Sequence, residues 1–256
     1  MIRNNFTLLI FVGILFVAAN IIAQEFPIAV GSDTTFSGGA VYGGLNGIVA
    51  IHGDNNNSNS INAQLVYPEN VLIGSRISTG AEGFFPGAIP IFDGTNYFLV
   101  WCGFDYILKG QLISTSGNLI GTPFNIANNI SVERPSLFNL AVGENSSLVI
   151  FIKTDGRVYG QIVDKSGNLV GSQILISSNL ARETSIAFDG TNFLVTWVEN
   201  ISDSDKDIYG QFISKSGSLV GTNFVIDNGA YFSDNPTSLA FDGTRYLLAF
   251  HETPIS

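Results

Sequence analysis

The residues best suited to chemistry in this sequence are three aspartates at alternate positions, Asp203, Asp205 and Asp207. Carboxylate oxygens at close range are the ligands that Ca²⁺ takes in proteins. The segment lacks the glutamate that closes an EF-hand loop, and Lys206 reduces its negative charge. We predict a calcium loop at these three aspartates, with a solvated surface loop as the alternative. No other cofactor is expected.

Other candidates for catalysis or metal binding are few. His52 and His251 are the only histidines, and no typical spacing of metal ligands surrounds either one. Glu133 and Glu183 lie just before two predicted inner strands, and they are the one pair to test for glycoside hydrolysis, which needs two nearby carboxylates. The sequence shows no serine elbow, phosphate loop or cysteine nucleophile. We therefore expect a protein that is not an enzyme, with no catalytic residues and with its ligand-binding residues unknown.

A repeat of about 50 residues surrounds these candidates, a period typical of propellers, solenoids and repeat arrays. Each repeat contains one four-residue pattern: a hydrophobic residue, a variable residue, a small residue and then glutamine. The glutamines are Gln64, Gln111, Gln161 and Gln211, spaced by 47, 50 and 50 residues. We interpret them as buried amides that satisfy backbone groups, since buried polar groups need partners. The alternative is one ligand contact in each repeat.

Two tight turns recur in the repeats. One follows the glutamine and reads Ser-Gly-Asn or Ser-Gly-Ser, as at Ser116–Asn118, and the other reads Asp-Gly-Thr and begins at Asp93, Asp189 and Asp242. Asp-Gly between alternating apolar residues is a strong hairpin signal. Because aspartate in such a turn bonds its own backbone, we interpret these aspartates as turn residues rather than catalytic acids.

Each repeat therefore predicts four short strands, named a to d. We expect them at Ser238–Phe241 (a), Tyr246–Phe250 (b), Ile208–Ser214 (c) and Asn223–Ile226 (d). Large aromatic residues recur on strand b, at Trp101, Phe151, Trp197 and Phe250. We expect them in the core between sheets, with sugar-stacking platforms as the alternative.

The predicted fold is all-β, a β-propeller of about five four-stranded antiparallel blades, with a β-solenoid as second choice. The repeats run over 36–80, 81–129, 130–180 and 181–230, and the fifth, 231–256, closes with 24–30. Phe26–Ile28 copies the strand d pattern of Phe224–Ile226, so the two ends of the chain would share the last blade. That blade has no copy of strand c, so either it has three strands or the chain is a piece of a longer ring.

The first 23 residues differ from the repeats. Arg3 precedes the apolar run Phe6–Ile22, and small residues lead to Ala23. This is the pattern of a secretory signal peptide, with an uncleaved membrane anchor as the alternative, and residues 24–256 then form one propeller domain. The net charge of −10 argues against binding to a phosphate backbone, and a single cysteine, Cys102, cannot form an internal disulfide.

The repeats resemble those of a class of bacterial exported propeller proteins. The matching residues are Phe188–Phe193, Trp197, Asp207–Gln211 and Ser216–Gly221. The resemblance implies a propeller fold and an exported location, but no single activity. In repeat length the chain is also loosely similar to five-bladed lectins.

From these observations we expect a noncatalytic recognition module, secreted or on the cell surface of a bacterial envelope. A rigid ring presents similar pockets repeatedly, which suits repeated ligands such as glycans. The expected partner is a glycan or a protein, without nucleic acid, and with a membrane only through an uncleaved leader. The ring is expected to be monomeric. The alternatives are a five-bladed glycoside hydrolase and a structural envelope protein.

Overall fold

The structure is a computed structural model, and it describes residues 36–53, 59–67, 71–84, 88–132, 138–202, 205–228, 231–233, 238–250 and 252–254. Every regular element in these ranges is a β-strand. Among them no helix is long and apolar enough to cross a membrane. The predicted leader 1–23 and the segment 24–30 lie outside the described residues.

Four antiparallel sheets follow one another along the chain, each with its four strands in sequence order. The first sheet contains β1 (Phe36–Tyr42), β2 (Gly47–His52), β3 (Ser60–Val66) and β4 (Leu72–Glu82). The second contains β5 (Ala88–Phe92), β6 (Asn96–Cys102), β7 (Leu108–Ser114) and β8 (Leu119–Ala127). The third contains β9 (Phe138–Val142), β10 (Ser146–Ile152), β11 (Val158–Asp164) and β12 (Leu169–Leu175). The fourth contains β13 (Ala181–Phe188), β14 (Asn192–Ser202), β15 (Asp205–Ser214) and β16 (Leu219–Asp227).

Two shorter strand pairs follow the fourth sheet. In one pair β17 (Tyr231–Ser233) lies beside β20 (Glu252–Pro254), and in the other β18 (Ser238–Phe241) lies beside β19 (Tyr246–Ala249). Together the two pairs correspond to the first two strands of a further sheet. β17 and β18 take the place of β13, and β19 and β20 take the place of β14. The predicted strands a and b of this last repeat are confirmed within one residue.

The sheets pack face to face in chain order. On β6, Leu99 and Trp101 belong to the hydrophobic cluster shared with the first sheet, whereas Val100 and Cys102 belong to the cluster shared with the third. Successive side chains of a strand point to opposite faces, so each central strand contributes side chains to the hydrophobic clusters on both faces of its sheet. The first strands also contact each other, from β1 to β5, β9, β13 and β18. This is the arrangement of propeller blades, and the all-β, four-stranded prediction is confirmed.

A β-bulge recurs in the third strand of every described four-stranded sheet, at the repeated glutamine. Pairing shifts between Gly110 and Leu112, and Gln111 fills the gap by donating from Nε2 to the carbonyls of Leu112 (2.8 Å) and Ile120 (2.9 Å). The other three glutamines make the same pair of bonds, at 2.9 to 3.1 Å. The interpretation of these glutamines as structural amides is confirmed.

The fourth strand of the sheet is longer than the sequence indicates. Strand d was expected to begin at Asn223, but β16 begins at Leu219, because Leu219 and Val220 pair with Ile213 and Phe212 directly after the turn. The apolar pair after each Ser-Gly turn therefore belongs to the strand.

Candidate functional site

The antiparallel order gives every sheet two unlike ends. Both tight turns lie at one end, and the longer connections lie at the other. At the turn end Asp93 Oδ1 accepts the amides of Thr95 and Asn96, both at 2.8 Å. Asp189 and Asp242 make the same bonds at 2.7 Å. The interpretation of these aspartates as turn residues is confirmed. The other candidate functional residues lie at the opposite end of the sheets, called here the loop end.

The repeated aromatic residues are in the core, with one exception. Trp101, Phe151 and Trp197 are fully buried between sheets, whereas Phe250 is 37% exposed. Phe250 follows β19, beside which the structure describes only β18. Without third and fourth strands in the described part of this sheet, the ring of Phe250 is not enclosed.

The aspartates of the predicted calcium loop lie at the loop end of the fourth sheet. Asp203 lies outside the described residues, and β15 already begins at Asp205. Asp207 stands opposite Glu199 on β14, and Tyr209 donates its hydroxyl to the Asp207 carboxylate at 3.4 Å. In the described part of the chain no three acidic, histidine or cysteine side chains are grouped to hold a metal. The calcium loop stays a prediction.

Glu183 lies within the first strand of the fourth sheet. The register of β13 shifts between Arg182 and Thr184, and Glu183 at this bulge has a φ of 42°. Left-handed backbone is strained in a residue other than glycine, and such strain clusters at functional sites. Its predicted companion Glu133 lies outside the described residues. His52 is buried, with Nε2 3.0 Å from the Gly83 carbonyl, and His251 also lies outside the described residues.

A buried carboxylate that the sequence analysis missed lies next to Trp197. Glu199 is 1% exposed and accepts the indole N–H of Trp197 at 2.8 Å and the Asn179 amide at 2.9 Å. These two hydrogen bonds offset part of the free-energy cost of burying the Glu199 carboxylate. The sequence signal is the spacing Trp-Val-Glu, whose repeat in the second sheet reads Trp-Cys-Gly.

Because of that difference, Trp101 in the second sheet has no hydrogen-bond acceptor among the described residues. Trp101 matches Trp197, and Gly103 stands where the fourth sheet has Glu199. The indole Nε1 of Trp101 is buried and makes no hydrogen bond with any described residue. A buried donor without an acceptor costs about 1–3 kcal/mol. A site that keeps such a donor is a candidate for binding an acceptor from outside the chain.

Trp101 lines a groove of about 480 Å³ between the first and second sheets at their loop end. This volume is within the range of small-molecule sites. We call it the Trp101 groove, and its lining residues are Gly80, Ala81, Glu82, Trp101, Phe104, Asp105, Lys109 and Pro123. Six of the eight come from β4, β7, β8 and the core strand β6, so rigid elements hold most of the groove.

The polar side chains of the groove include an ion pair. Lys109 Nζ lies 2.7 Å from Asp105 Oδ2. Partial burial alone would raise the pKa of Asp105, but the bonds from Lys109 and from the Ile107 amide outweigh it, so this pKa lies below its usual value. Asp105 Oδ1 also occupies the space of the missing side chain at Gly103, since a Cβ there would lie 2.5 Å from it.

Aromatic rings border the same groove. Phe104 is 42% exposed and meets Phe84 edge to face, with ring centroids 4.8 Å apart. Tyr106, from the same loop, packs on Phe84 from another side at 5.5 Å. The residues that line the groove therefore include an exposed ring, the buried tryptophan whose indole has no acceptor among the described residues, carboxylates and an ammonium group. Sequence analysis missed the groove because its residues come from two sheets.

Comparisons with known proteins add solved structures of similar architecture. No family model matches the chain, and no curated protein sequence is similar to it. An α-L-arabinofuranosidase from Lactobacillus brevis is 9% identical, with a TM-score of 0.44 over 85% of this chain and 84% of the other. An endo-arabinanase from Bacillus licheniformis is 12% identical, with a TM-score of 0.43 over 87% and 95%. A fucose-specific lectin from Aleuria aurantia is 12% identical, with a TM-score of 0.48 over 86% and 70%.

These comparisons correct one expectation. The sequence analysis expected a protein that is not an enzyme, yet glycoside hydrolases stand beside a lectin among the similar structures. The similar hydrolases contradict the expectation of a protein that is not an enzyme, which rested on the lack of a serine elbow, a phosphate loop and a cysteine nucleophile. Glu183 lies within the inner strand β13.

Proposed function

We propose that this chain is an exported carbohydrate-binding propeller protein and that the Trp101 groove holds the sugar. The observation that carries the proposal is the indole N–H of Trp101, a residue that lines an open groove, which is buried without an acceptor among the described residues. A sugar hydroxyl or ring oxygen supplies that acceptor. Sugar binding then satisfies a donor that no described residue satisfies.

The rest of the groove suits the two unlike surfaces of a sugar ring. The apolar C–H face of a sugar packs on an aromatic ring, and Phe104 presents one at the rim. The hydroxyls need donors and acceptors at fixed positions, which Lys109 and the carboxylates of Glu82 and Asp105 supply. A few directed polar groups within an apolar wall are typical of small-molecule sites.

The test is a glycan-array screen of residues 24–256, comparing the parent chain with Phe104→Ala and Tyr106→Ala. Both residues are exposed aromatics of the same loop, but only Phe104 lines the groove. We expect selective glycan binding that Phe104→Ala abolishes and Tyr106→Ala retains. Equal loss in both variants, or no binding by the parent chain, would contradict the proposal. Adding calcium or a chelator to the screen tests the predicted loop at Asp203, Asp205 and Asp207.

A second candidate function is glycoside hydrolysis at Glu183. The observation in its favour is the left-handed φ of 42° at a bulge of the inner strand β13. Hydrolysis requires a second carboxylate, for which Glu133 is the candidate. We expect hydrolysis of any array-positive glycan to fall strongly in Glu183→Gln while groove binding persists. Unchanged hydrolysis in that variant would remove Glu183 from consideration.

We also propose that the blades form a five-bladed ring in which residues 24–30 complete the last blade. Support comes from the fourth sheet, where Phe224 and Ile226 are 38% and 36% exposed, whereas Ile126 and Ile176 at the position of Ile226 are buried. Residues 24–256 should therefore unfold at higher denaturant concentration than residues 31–256, and should bind less of a hydrophobic dye. Equal stability of the two chains would contradict closure by this segment.

Export and assembly complete the proposal. Residues 1–23 act as the leader of a secreted or surface protein, and the mature chain is a monomer. N-terminal sequencing of the protein recovered outside the cell should begin near Gln24. Sedimentation of the mature chain should give one monomeric species, and a larger species would point to a blade completed by a second copy.

A further inference from the structure

We infer that the leader is removed after Ala19 and that the mature chain begins at Asn20, so that residues 20–29 form a complete outer strand of the last sheet. This inference deepens the proposed closure of the ring by residues 24–30, on which it rests. It assigns a processing site four residues ahead of Gln24. It also assigns the segment that covers the exposed surface of the fourth sheet.

Residues 20–29 match an outer strand over its whole length. Their first four residues read Asn-Ile-Ile-Ala, where the second and third sheets have Asn-Leu-Ile-Gly and Asn-Leu-Val-Gly, at 118–121 and 168–171. The spacing from this apolar pair to the next phenylalanine is the same as in the second sheet. In the structure the apolar pair belongs to the strand, because β8 begins at Leu119 and β12 begins at Leu169. The counterpart in the N-terminal segment therefore begins at Ile21.

Ala23 is the one departure within this first half of the strand. It stands where Gly121 and Gly171 have a φ of 67°. A Cβ at either glycine meets nothing within 4 Å, so the methyl group of alanine has room, although this backbone conformation favours glycine. We expect the segment to accommodate Ala23 without moving its neighbours.

The beginning of an outer strand is the part that contacts the preceding sheet. In the third sheet Gly167, in the turn before β12, lies against the ring of Phe124. Gln173 on β12 then donates to the Ile126 carbonyl at 3.5 Å. Contacts with the second sheet thus extend over residues 167–173.

In the fourth sheet the matching surface is exposed. Phe224 and Ile226, at the positions of the contacted pair, are 38% and 36% exposed. By sequence, residues 20–25 match residues 168–173, which make the corresponding contacts in the third sheet. A mature chain that began at Gln24 would keep only two of those six residues. An earlier start keeps all six.

The chain between this segment and the first sheet has a suitable length. Strand β1 begins at Phe36, so six residues, 30–35, connect it to Ala29. In the other sheets five residues, 176–180, connect β12 to β13, and ten residues, 128–137, connect β8 to β9. A connection of six residues lies between these lengths and can therefore lead from the outer strand of one sheet to the inner strand of the next.

The leader itself favours the earlier cut. The apolar run of a secretory signal contains about 7–15 residues, and small residues follow it at the cleavage site. Phe6–Val17 contains 12 residues and precedes Ala18 and Ala19, whereas Phe6–Ile22 contains 17 residues. A signal peptidase hydrolyses the peptide bond between Ala19 and Asn20. Water then supplies the hydroxyl of the new Ala19 carboxyl group and the proton of the new Asn20 amino group.

Processing is tested by expressing the full chain in a bacterium with a secretory pathway and measuring the mass of the exported protein. We expect a mature chain that begins at Asn20. Ala19→Leu should block this cut, because a large side chain replaces the small residue before the cleaved bond. Ala23→Leu is the matched control and should be processed normally. A mature chain that begins at Gln24, or an exported chain that keeps its leader, would overturn the inference.

The covering of the fourth sheet is tested by urea denaturation of three chains, residues 20–256, 24–256 and 31–256. We expect the first to unfold at a urea concentration roughly 0.3–1 M higher than the second, because two more apolar side chains are buried. It should also bind less of a hydrophobic dye. Ile21→Ser together with Ile22→Ser keeps the length of the first chain and should lower its midpoint to that of the second.

The outcomes separate this inference from the proposed closure. Equal midpoints for residues 20–256 and 24–256, both above that of residues 31–256, would overturn the inference and leave closure by residues 24–30 intact. Equal midpoints for all three chains would overturn the closure itself. A double serine variant as stable as its parent would show that the apolar pair covers nothing, which would also overturn the inference.

Discussion

Gly167, in the turn between β11 and β12, lies directly against the ring of Phe124 on β8. A Cβ at Gly167 would come within 2.9 Å of Phe124 Cε1. Gly117 meets Leu65 and Gly217 meets Ile174 in the same manner, with Cβ distances of 3.0 and 3.1 Å. Each Ser-Gly turn therefore packs on the outer strands of the preceding sheet, so the turn sequence contributes to contacts between sheets.

We expect Gly167→Ala to destabilise the protein by more than Gly171→Ala. Both glycines have positive φ, 85° and 67°, so alanine strains the backbone at either position by about 1–2 kcal/mol. A Cβ at Gly171 meets nothing within 4 Å, whereas at Gly167 it clashes with Phe124. Urea denaturation of the two variants measures the difference. Equal losses in the free energy of unfolding would show that the Phe124 ring moves away from the added methyl group at no energetic cost.

Gln111→Met should lower the free energy of unfolding by about 1–3 kcal/mol, because it removes the donor to two backbone carbonyls, one of them buried. Methionine keeps the length of the side chain. Gln173→Met is the control, since Gln173 makes one long bond, 3.5 Å to the Ile126 carbonyl, and should lose less. A neutral Gln111→Met would contradict a structural role for the repeated glutamine.

Glu199→Met should cost about 1–3 kcal/mol, because the Trp197 indole and the Asn179 amide would lose their acceptor in a buried position. Glu144→Met supplies the comparison. Its ion pair with Lys215 is exposed and weakened by solvent, so this variant should lose much less stability. Chemical denaturation followed by tryptophan fluorescence measures both, and the Glu199 variant should also change the emission of Trp197.

Acid should weaken the fold partly through Asp189. Burial by itself would raise the pKa of Asp189, but hydrogen bonds from the amides of Asn192 and Thr191 and from Tyr246 outweigh it, so the pKa is lowered. A lowered folded-state pKa gives stability that is complete above the unfolded pKa of about 3.9 and is lost as pH falls through the folded value. Asp189→Asn cannot ionise, so its stability should fall less steeply below about pH 4. Parallel acid curves would contradict this linkage.

The sequence predicted the parts of the fold that depend on local chemistry. Asp-Gly turns, glutamine bulges and alternating strands are set by residues close together in the chain, and Asp93 and Gln111 lie as expected. The Trp101 groove was missed because β4 supplies Glu82 while β6 and β7 supply Trp101 and Lys109. The spacing of residues along one repeat does not show which of them meet between two sheets. The exposure of Phe250 was also missed, because it depends on which strands cover the last sheet.

The three hydrophobic clusters have a consequence for the order in which the chain acquires structure. Each cluster joins only two consecutive sheets, and the glycine of each Ser-Gly turn packs on the sheet before it. In such nearest-neighbour arrays, stability is approximately a sum of unit and interface contributions. The chain is synthesised from its N-terminus. The face of each sheet that packs on the following sheet therefore stays uncovered until that following sheet has been synthesised. A defect in one blade should therefore stall maturation at the adjoining boundary, while blades further along the chain still form.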